Sequence, residues 1–263
     1  MERRTVSSSR SSRLARGGLI AALTLSIATA GAPAFGADND PLIDYPTFKG
    51  AAKSLDRNGA ADLILSSGDK VRQKILRLTP GGYRQSGSAW STTQLDVTES
   101  FESTFKVYLH HFRPGADGIA FVVQTEGPRA LGGWGGGLGY RGIKPSLAVE
   151  FDIYQNSYDS SRNHLAVVLG GNPDYQAATA EAPIALYGRP FTARVVYNAE
   201  EELLRVYVKA LKPGSRERLV LEHEIDLAGH VGSDAAWVGF TGSTGTGLSK
   251  QDIYSWNLQG SEA

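Results

Sequence analysis

Short segments rich in β-branched and aromatic residues recur along the chain from residue 60 onward. Many alternate apolar and polar side chains, which is typical of strands with one buried face. Gly, Pro, Asn and Asp fill the gaps, and no long stretch shows a clean helical period. The segments are 61–65, 74–78, 101–112, 118–124, 146–154, 164–169, 191–198, 203–211, 218–225, 237–242 and 252–258. So many strands without intervening helices predict an all-β fold, an antiparallel β-sandwich.

The first 36 residues have the composition of an export signal rather than of a folded domain. Five arginines precede an apolar run at 19–32, and small residues at 32–37 follow it. This order is typical of a secretory signal peptide. The run is interrupted by Thr, Ser and Gly, and it is shorter than the roughly 20 residues that a membrane span needs. We therefore expect removal of residues 1–36 by cleavage between Ala34 and Ala37, and a secreted, extracellular protein without membrane insertion.

The charge balance changes when this segment is removed. It carries five Arg and one Glu of the chain's 27 basic and 27 acidic residues, so 37–263 keeps 22 basic and 26 acidic residues and a net charge of −4. This balance does not favour nucleic acid or an anionic membrane surface as a partner. The chain has no Cys, so the exported protein has to be stable without disulfides, as a single domain of this length can be.

Two loops are unusually rich in glycine. TEGPRALGGWGGGLGYRGIKP occupies 125–145, and GSTGTGLSK occupies 242–250. Long loops in a domain whose other loops are short commonly carry functional residues. Both loops are therefore candidates for parts of a binding site.

The predicted strand 146–154 places apolar and acidic side chains on opposite faces. Because side chains alternate along a strand, Val149 and Phe151 point toward the core, while Glu150 and Asp152 point the other way. Two carboxylates about 7 Å apart on one face repel each other unless a cation lies between them. The pair indicates either a cation site or an exposed strand face followed by a polar loop.

Further residues of the ligand type follow this pair. Asn156 and Asp159 lie in the next turn, and His164 opens the next strand, where a close return would bring its imidazole near Glu150. Oxygen donors from Asp152, Asn156, Asp159 and a backbone carbonyl suit Ca²⁺. The imidazole together with the three carboxylates suits a transition ion that accepts nitrogen and oxygen, such as Mn²⁺. Asp152 and Asp159 can bridge both ions.

This stretch resembles the metal-binding segment of the legume-type (L-type) lectins, in which Glu, Asp, an aromatic residue, Asn, Asp and His recur at fixed intervals. The one departure is Ser160, which stands where the family usually has proline and removes no ligand. By this resemblance the metal ligands are Glu150, Asp152, Tyr154, Asn156, Asp159 and His164.

Other family motifs follow in order along the mature chain. They are ILRLTP (75–80), GSAW (87–90), GADGIAFVVQ (115–124), GGGLGY (135–140) and the stretch from WVGFTGSTG to DIYSWNL (237–258). The chain is similar to a secreted bacterial member of the family. The resemblance implies a concanavalin-like jelly roll over residues 37–263.

The resemblance also implies a shallow sugar site. Such a site needs a charged acceptor, amide donors and an aromatic platform. The family pattern makes Asp117 the charged acceptor, after a cis peptide bond from Ala116. It lets Asn156 bind calcium through its carbonyl oxygen and offer its NH₂ to a hydroxyl, while Tyr154 gives its backbone carbonyl to calcium and its ring to the sugar. The backbone N–H donors would be those of Gly136, Gly247 and Leu248.

The remaining aromatic and histidine residues fall into two groups. Trp237 and Trp256 lie in alternating strands and are expected in the core, whereas Trp134 in the first glycine-rich loop is a candidate for an exposed ligand contact. The histidines outside the metal segment are expected at the surface or in strands; they are His110, His111, His223 and His230.

These observations favour a secreted, calcium-dependent, non-catalytic lectin that binds glycans and can form homo-oligomers. One alternative is an endoglucanase on the same sandwich fold. Such enzymes pair a nucleophile with an acid/base, but Gln155 or Tyr154 stands where the second carboxyl would be, and an amide cannot donate and recover a proton. A third possibility is an adhesion or matrix protein that keeps the lectin fold. The preferred sugar is left open.

Overall fold

The structure is a computed structural model that describes residues 41–67 and 72–261. Within these ranges it contains sixteen strands, one α-helix and two short 3-10 helices, Ala51–Lys53 and Gly135–Gly137. The strands and the helix are β1 (Ile43–Tyr45), β2 (Leu55–Gly59), β3 (Asp62–Leu65), β4 (Lys74–Pro80), β5 (Ser86–Ser91), β6 (Leu95–Asp96), β7 (Phe101–Leu109), β8 (Gly118–Gln124), β9 (Ser146–Asp152), β10 (His164–Leu169), β11 (Gln176–Glu181), β12 (Phe191–Asn198), β13 (Leu203–Ala210), β14 (Arg218–Glu224), α1 (Leu227–Val231), β15 (Ala235–Ser243) and β16 (Lys250–Gly260).

The strands form two antiparallel sheets, which confirms the predicted all-β sandwich. Sheet I has the order β14-β13-β12-β7-β16-β4-β3, with β1 beside β16. Sheet II has the order β11-β10-β9-β8-β15-β5-β2, with β6 beside β15. Neighbours in each sheet are mostly distant in sequence, so the fold depends on long-range pairing rather than on local hairpins alone.

The main core lies between the two sheets. Residues of β7 and β12 alternate between buried and partly exposed positions, as expected for strands with one face on a core. Phe105 of sheet I packs against Phe121 and Phe240 of sheet II, with ring centroids 5.7 and 4.8 Å apart. Trp256 is fully buried in this core, as predicted, whereas Trp237 is partly buried.

A second apolar cluster covers the outer face of sheet II. The glycine-rich loop 125–145 contributes Leu138, Tyr140 and Ile143 to it, and these pack over small residues such as Ala148 and Ala166 of the sheet. This explains why β8 and β9 are buried on both faces. The acidic face of β9 is therefore buried, because loop 125–145 packs over it.

The helix α1 and several short strands, such as β2 and β11, had no signal in the sequence. The helix has only five residues and begins after Asp226, whose side chain accepts a hydrogen bond from the Gly229 N–H at 2.8 Å. The sequence of β11, QAATAE, is poor in β-branched residues, and pairing with β10 places it in the sheet.

The predicted signal peptide, residues 1–36, lies outside the described residues, so its removal stays a prediction. In the ranges that the structure describes, we find no helix with the length and apolarity needed to cross a bilayer.

Candidate metal and carbohydrate site

Three buried ligand-type side chains converge where β9 ends and β10 begins. The register of these two strands places His164 opposite Asp152, and the turn between them brings in Asp159. One ligand atom from each residue lies within 4.8 Å of the others. The close return that the sequence predicted is confirmed, although it places the imidazole opposite Asp152 rather than opposite Glu150.

Hydrogen bonds orient the His164 imidazole for metal binding. Its Nδ1 lies 2.8 Å from the Ser161 carbonyl oxygen, which can only accept, so Nδ1 carries the proton. Nε2 then faces Asp159, 3.4 Å from Oδ1. A histidine that donates through one ring nitrogen and directs the other toward carboxylates has the arrangement of a metal ligand.

The carboxylates of this group have too little positive charge around them. Burial raises the pKa of Glu150 to about 7, against the lowering effect of its hydrogen bond from Tyr140. Burial, followed by the charge of Glu150, raises the pKa of Asp152 well above its usual range. Burial lowers the pKa of His164, but the hydrogen bond and charge of Asp159 outweigh it, so the net direction is upward. The group therefore needs either protons or a cation to be stable.

Glu150 lies beside Asp152, Asp159 and His164 but is not one of the three residues whose ligand atoms all lie within 4.8 Å of one another. It is 1% exposed, pairs with Ala166 across the sheet, and its Oε1 accepts a 2.5 Å hydrogen bond from the Tyr140 hydroxyl. Tyr140 belongs to the glycine-rich loop, so this bond ties the loop to the acidic face. The role of Glu150 as a metal ligand stays a prediction.

The turn after β9 is shaped by its own carboxylates. The Tyr154 N–H donates to Asp152 Oδ1 and the Asn156 N–H donates to Asp159 Oδ2, both at 2.6 Å. The side-chain oxygen Oδ1 of Asn156 is buried and accepts no hydrogen bond from the described residues. An unpartnered buried amide oxygen beside two carboxylates fits a hard cation such as calcium.

Asp117 lies next to this turn and follows a cis peptide bond from Ala116, as the family resemblance implied. Its neighbour Gly118 pairs with Asp152 across the sheet. The backbone carbonyl of Asp117 accepts a hydrogen bond from the Ile153 N–H at 2.9 Å. Burial raises the pKa of the Asp117 carboxyl to about 7, against the lowering effect of the Gly245 N–H. Its buried Oδ2 accepts no hydrogen bond within the described part of the chain, so this oxygen is available to a ligand.

The predicted backbone donors differ in how they are placed. Gly136 faces the Asn156 side chain closely: a Cβ at this position would lie 2.7 Å from Asn156 Nδ2. The Leu248 N–H already donates to the Pro114 carbonyl at 2.9 Å, so it is occupied in this structure. Gly247 lies against Ala116, where a Cβ would come within 2.6 Å of the Ala116 side chain.

Three residues of the site were missed from the sequence. Gln176 of β11 donates to Asp159 Oδ1 at 2.8 Å and lies 3.3 Å from His164 Nε2. The Tyr158 hydroxyl donates to the Gly136 carbonyl at 3.1 Å, and Tyr140 bonds Glu150. Tyr140 stands inside the quoted GGGLGY motif and could have been considered there. Gln176 gave no signal, because the strand that carries it was not predicted.

Comparison with known proteins identifies the family and the fold. The family model described as the legume lectin β-barrel domain matches residues 48–256, most of the described chain. The chain belongs to the legume lectin family. This legume lectin is 30% identical over 183 residues to Agglutinin-2 of Cladrastis kentukea, a match that covers 62% of this chain and 60% of that relative, less than two thirds of its length.

Solved lectins share the architecture at lower sequence identity. The basic winged bean lectin, solved with Tn-antigen, superposes with a TM-score of 0.71 at 21% identity, covering 83% of this chain and 97% of that one. The lectin from Bauhinia forficata, solved with GalNAc, has a TM-score of 0.68 at 23% identity and covers 84% and 97%. These likenesses establish the sandwich fold of the legume lectin.

The family also decides between binding and hydrolysis. The matched relatives include an agglutinin, a lectin and receptor kinases that contain an L-type lectin domain, and the matching family model is that of the legume lectin domain. Glu150 is buried and bonded to Tyr140, while the Gln155 side chain donates to the carbonyls of Asp159 and Ser160, both at 3.3 Å. These contacts engage both side chains inside the protein, in agreement with a match to lectins rather than to hydrolases.

Proposed function

We propose that this legume lectin is a secreted protein that binds glycans and depends on Ca²⁺, with a transition-metal ion such as Mn²⁺ beside the calcium. The observation that carries the proposal is the buried group Asp152, Asp159 and His164, together with two buried oxygens nearby, Asn156 Oδ1 and Asp117 Oδ2, that accept no hydrogen bond from the described residues. The first fits a cation, and the second fits the hydroxyl groups of a sugar.

The metal part of the proposal uses the side chains around the turn after β9. Asp152, Asp159 and His164 would hold the transition ion, with Glu150 as a further ligand. The two aspartates, Asn156 Oδ1 and the Tyr154 carbonyl would hold calcium. Bound cations would neutralise the carboxylates and fix the turn. The chain's own hydrogen bonds already orient the imidazole and both aspartates for this role.

The sugar part uses residues that surround the same turn. Asp117 would accept hydrogen bonds from one or two hydroxyls, and the Asn156 NH₂ and the Gly136 N–H would donate to the sugar. The Tyr154 ring is half-buried and offers an apolar face. From the last loop we keep Gly247 as the backbone donor, because the Leu248 N–H is engaged by Pro114.

A glycan array with and without chelator tests this function. The winged bean and Bauhinia lectins were solved with Tn-antigen and GalNAc, so GalNAc and galactose glycans are the first ligands to include. We expect signals that disappear in chelator and return with Ca²⁺ and Mn²⁺. Binding that ignores chelator would contradict metal dependence, and a silent array in the presence of both ions would favour the adhesion or matrix alternative.

Gly136→Ala should weaken sugar binding by roughly tenfold or more, which corresponds to about 1.4 kcal/mol. The new methyl group would lie 2.7 Å from Asn156 Nδ2 and 2.8 Å from the Tyr158 hydroxyl, so the Asn156 amide would have to move. Gly133→Ala is the matched control, because a Cβ there meets nothing nearer than 3.5 Å. Titration calorimetry of both variants measures the difference; equal affinities would remove Gly136 from the site.

Export and assembly are further parts of the proposal. Sequencing the N-terminus of protein recovered from the medium would test cleavage between Ala34 and Ala37. Light scattering would test homo-oligomer formation.

A bacterial source stays a prediction, since the relatives reported above are plant proteins.

A further inference from the structure

An exposed stack of two aromatic rings and one guanidinium lies between loops of the legume lectin. Tyr83 and Trp134 are 57% and 50% exposed, so both rings are accessible from solvent. The Arg84 guanidinium carbon lies 4.9 Å from the Tyr83 ring centroid and 4.6 Å from the Trp134 ring centroid. Both distances are within the range of cation–π contacts.

The backbone fixes this stack at the rim of the proposed sugar site. Arg84 adopts a left-handed conformation, with φ of 49°, and its N–H donates to the Gly245 carbonyl at 3.1 Å. The Gly135 N–H, directly after Trp134, donates to the Thr244 carbonyl at 3.2 Å. Gly245 in turn lies against Asp117, where a Cβ would be 3.3 Å from Oδ2. The stack and the unpartnered Asp117 oxygen therefore flank the same loop.

The Arg84 guanidinium forms no ion pair with a described carboxylate, so its charge is not balanced within the protein. Arg77, Arg141, Arg194 and Arg205 each form an ion pair with Asp or Glu. Stacking on two rings holds the guanidinium plane in place and leaves N–H groups on its edge for an outside partner.

We propose that Tyr83, Arg84 and Trp134 form a subsite for a carboxylate-bearing sugar, of the uronic or sialic acid class, adjacent to the sugar held by Asp117. A guanidinium pairs with a carboxylate through two parallel hydrogen bonds, and the exposed indole face can receive the sugar ring. This inference rests on the proposed function, because it adds a second sugar residue to that site.

The test compares one neutral oligosaccharide with the same oligosaccharide carrying a terminal uronic or sialic acid, and with its sulfated form. Calorimetry with Ca²⁺ and Mn²⁺ present should show about fivefold tighter binding of the carboxylated ligand, the size expected for an exposed ion pair. The preference should shrink as salt is raised. Arg84→Gln should remove the preference and leave the affinity for the neutral ligand unchanged.

Two further variants make the outcome specific. Arg84→Lys keeps the charge but loses the planar pair of donors, so it should keep only part of the preference. Arg216→Gln, an exposed arginine between β13 and β14, is the matched control and should change nothing. Equal binding of the neutral and carboxylated ligands by the wild-type chain, or a gain only for the sulfated one, would overturn the subsite while leaving the lectin function intact. Failure to bind any saccharide would instead overturn the proposed function, and the subsite with it.

Discussion

Asp117→Asn should abolish measurable carbohydrate binding while leaving the melting temperature unchanged or slightly higher. The substitution removes the one charged acceptor of the proposed sugar site. Hydrogen bonds to a charged group contribute about 1.5–3 kcal/mol each, so losing the charge from two of them should lower affinity by roughly a hundredfold or more. Titration calorimetry with the best glycan from the array measures this loss.

The Asp117→Asn variant should be as stable as the wild type or slightly more stable, because burying the Asp117 carboxylate costs free energy. Burial raises the pKa of Asp117 to about 7, and Oδ2 has no protein donor among the described residues. An amide of the same shape avoids the desolvation of a charge. Asp62→Asn, on the exposed strand β3 of the other sheet, is the matched control and should bind like the wild type. An Asp117→Asn variant that binds within threefold of the wild type would exclude Asp117 as the acceptor.

Removing divalent cations should lower the melting temperature strongly at neutral pH. A ligand at 100 times its Kd stabilises the folded state by about 2.7 kcal/mol, which for a chain of this size corresponds to roughly 5–10 °C. Differential scanning calorimetry in Ca²⁺ and Mn²⁺, then in chelator, measures the shift. Identical melting curves in the two buffers would contradict a structural metal site.

The pH dependence of this shift follows from the raised pKa values. The pKa of Glu150 is 4.5 as a free group and about 7 in the fold, so its protonated form is favoured when folded. Its contribution to stability is present below about pH 4 and is lost as pH rises to about 7. Cations need deprotonated ligands, so their stabilising effect grows over the same interval. The difference between the two buffers should therefore be larger at pH 7.5 than at pH 5.

Asp152→Asn separates the metal effect from burial. With cations present the variant should melt at a lower temperature than the wild type, because a ligand is lost. In chelator the variant should melt at the same temperature as the wild type or at a higher one. The reason is that burial raises the pKa of Asp152 well above its usual range, whereas the amide carries no charge. A variant that is equally destabilised in both buffers would indicate a packing defect instead of metal loss.

The spacing of residues within one segment predicted that Asp152, Asp159 and His164 come together, and the family resemblance added the interpretation of this group as a metal site. Glu150 and Asp152 share a face because strand side chains alternate, and pairing of β9 with β10 returns His164 to that face. The contacts that the sequence did not reveal join distant segments. Tyr140 reaches Glu150 only because its loop folds onto sheet II, and Gln176 reaches Asp159 only through a strand with weak β-propensity.

The same limit applies to the backbone donors. The family pattern names Leu248, but a motif does not show which N–H groups the chain uses internally, and this one bonds Pro114. The exposed Arg84 stack is another arrangement between distant segments, joining residues about 50 positions apart by tertiary contacts. Strand identity and ligand spacing are local properties, whereas donor availability depends on the completed fold.

The apolar underside of loop 125–145 has a practical consequence for engineering. Leu138, Tyr140 and Ile143 anchor the loop to sheet II, whereas the Trp134 side chain is exposed and lies outside this apolar cluster. Randomising Trp134 would therefore change an exposed side chain next to the proposed sugar site and leave the apolar packing beneath the loop in place.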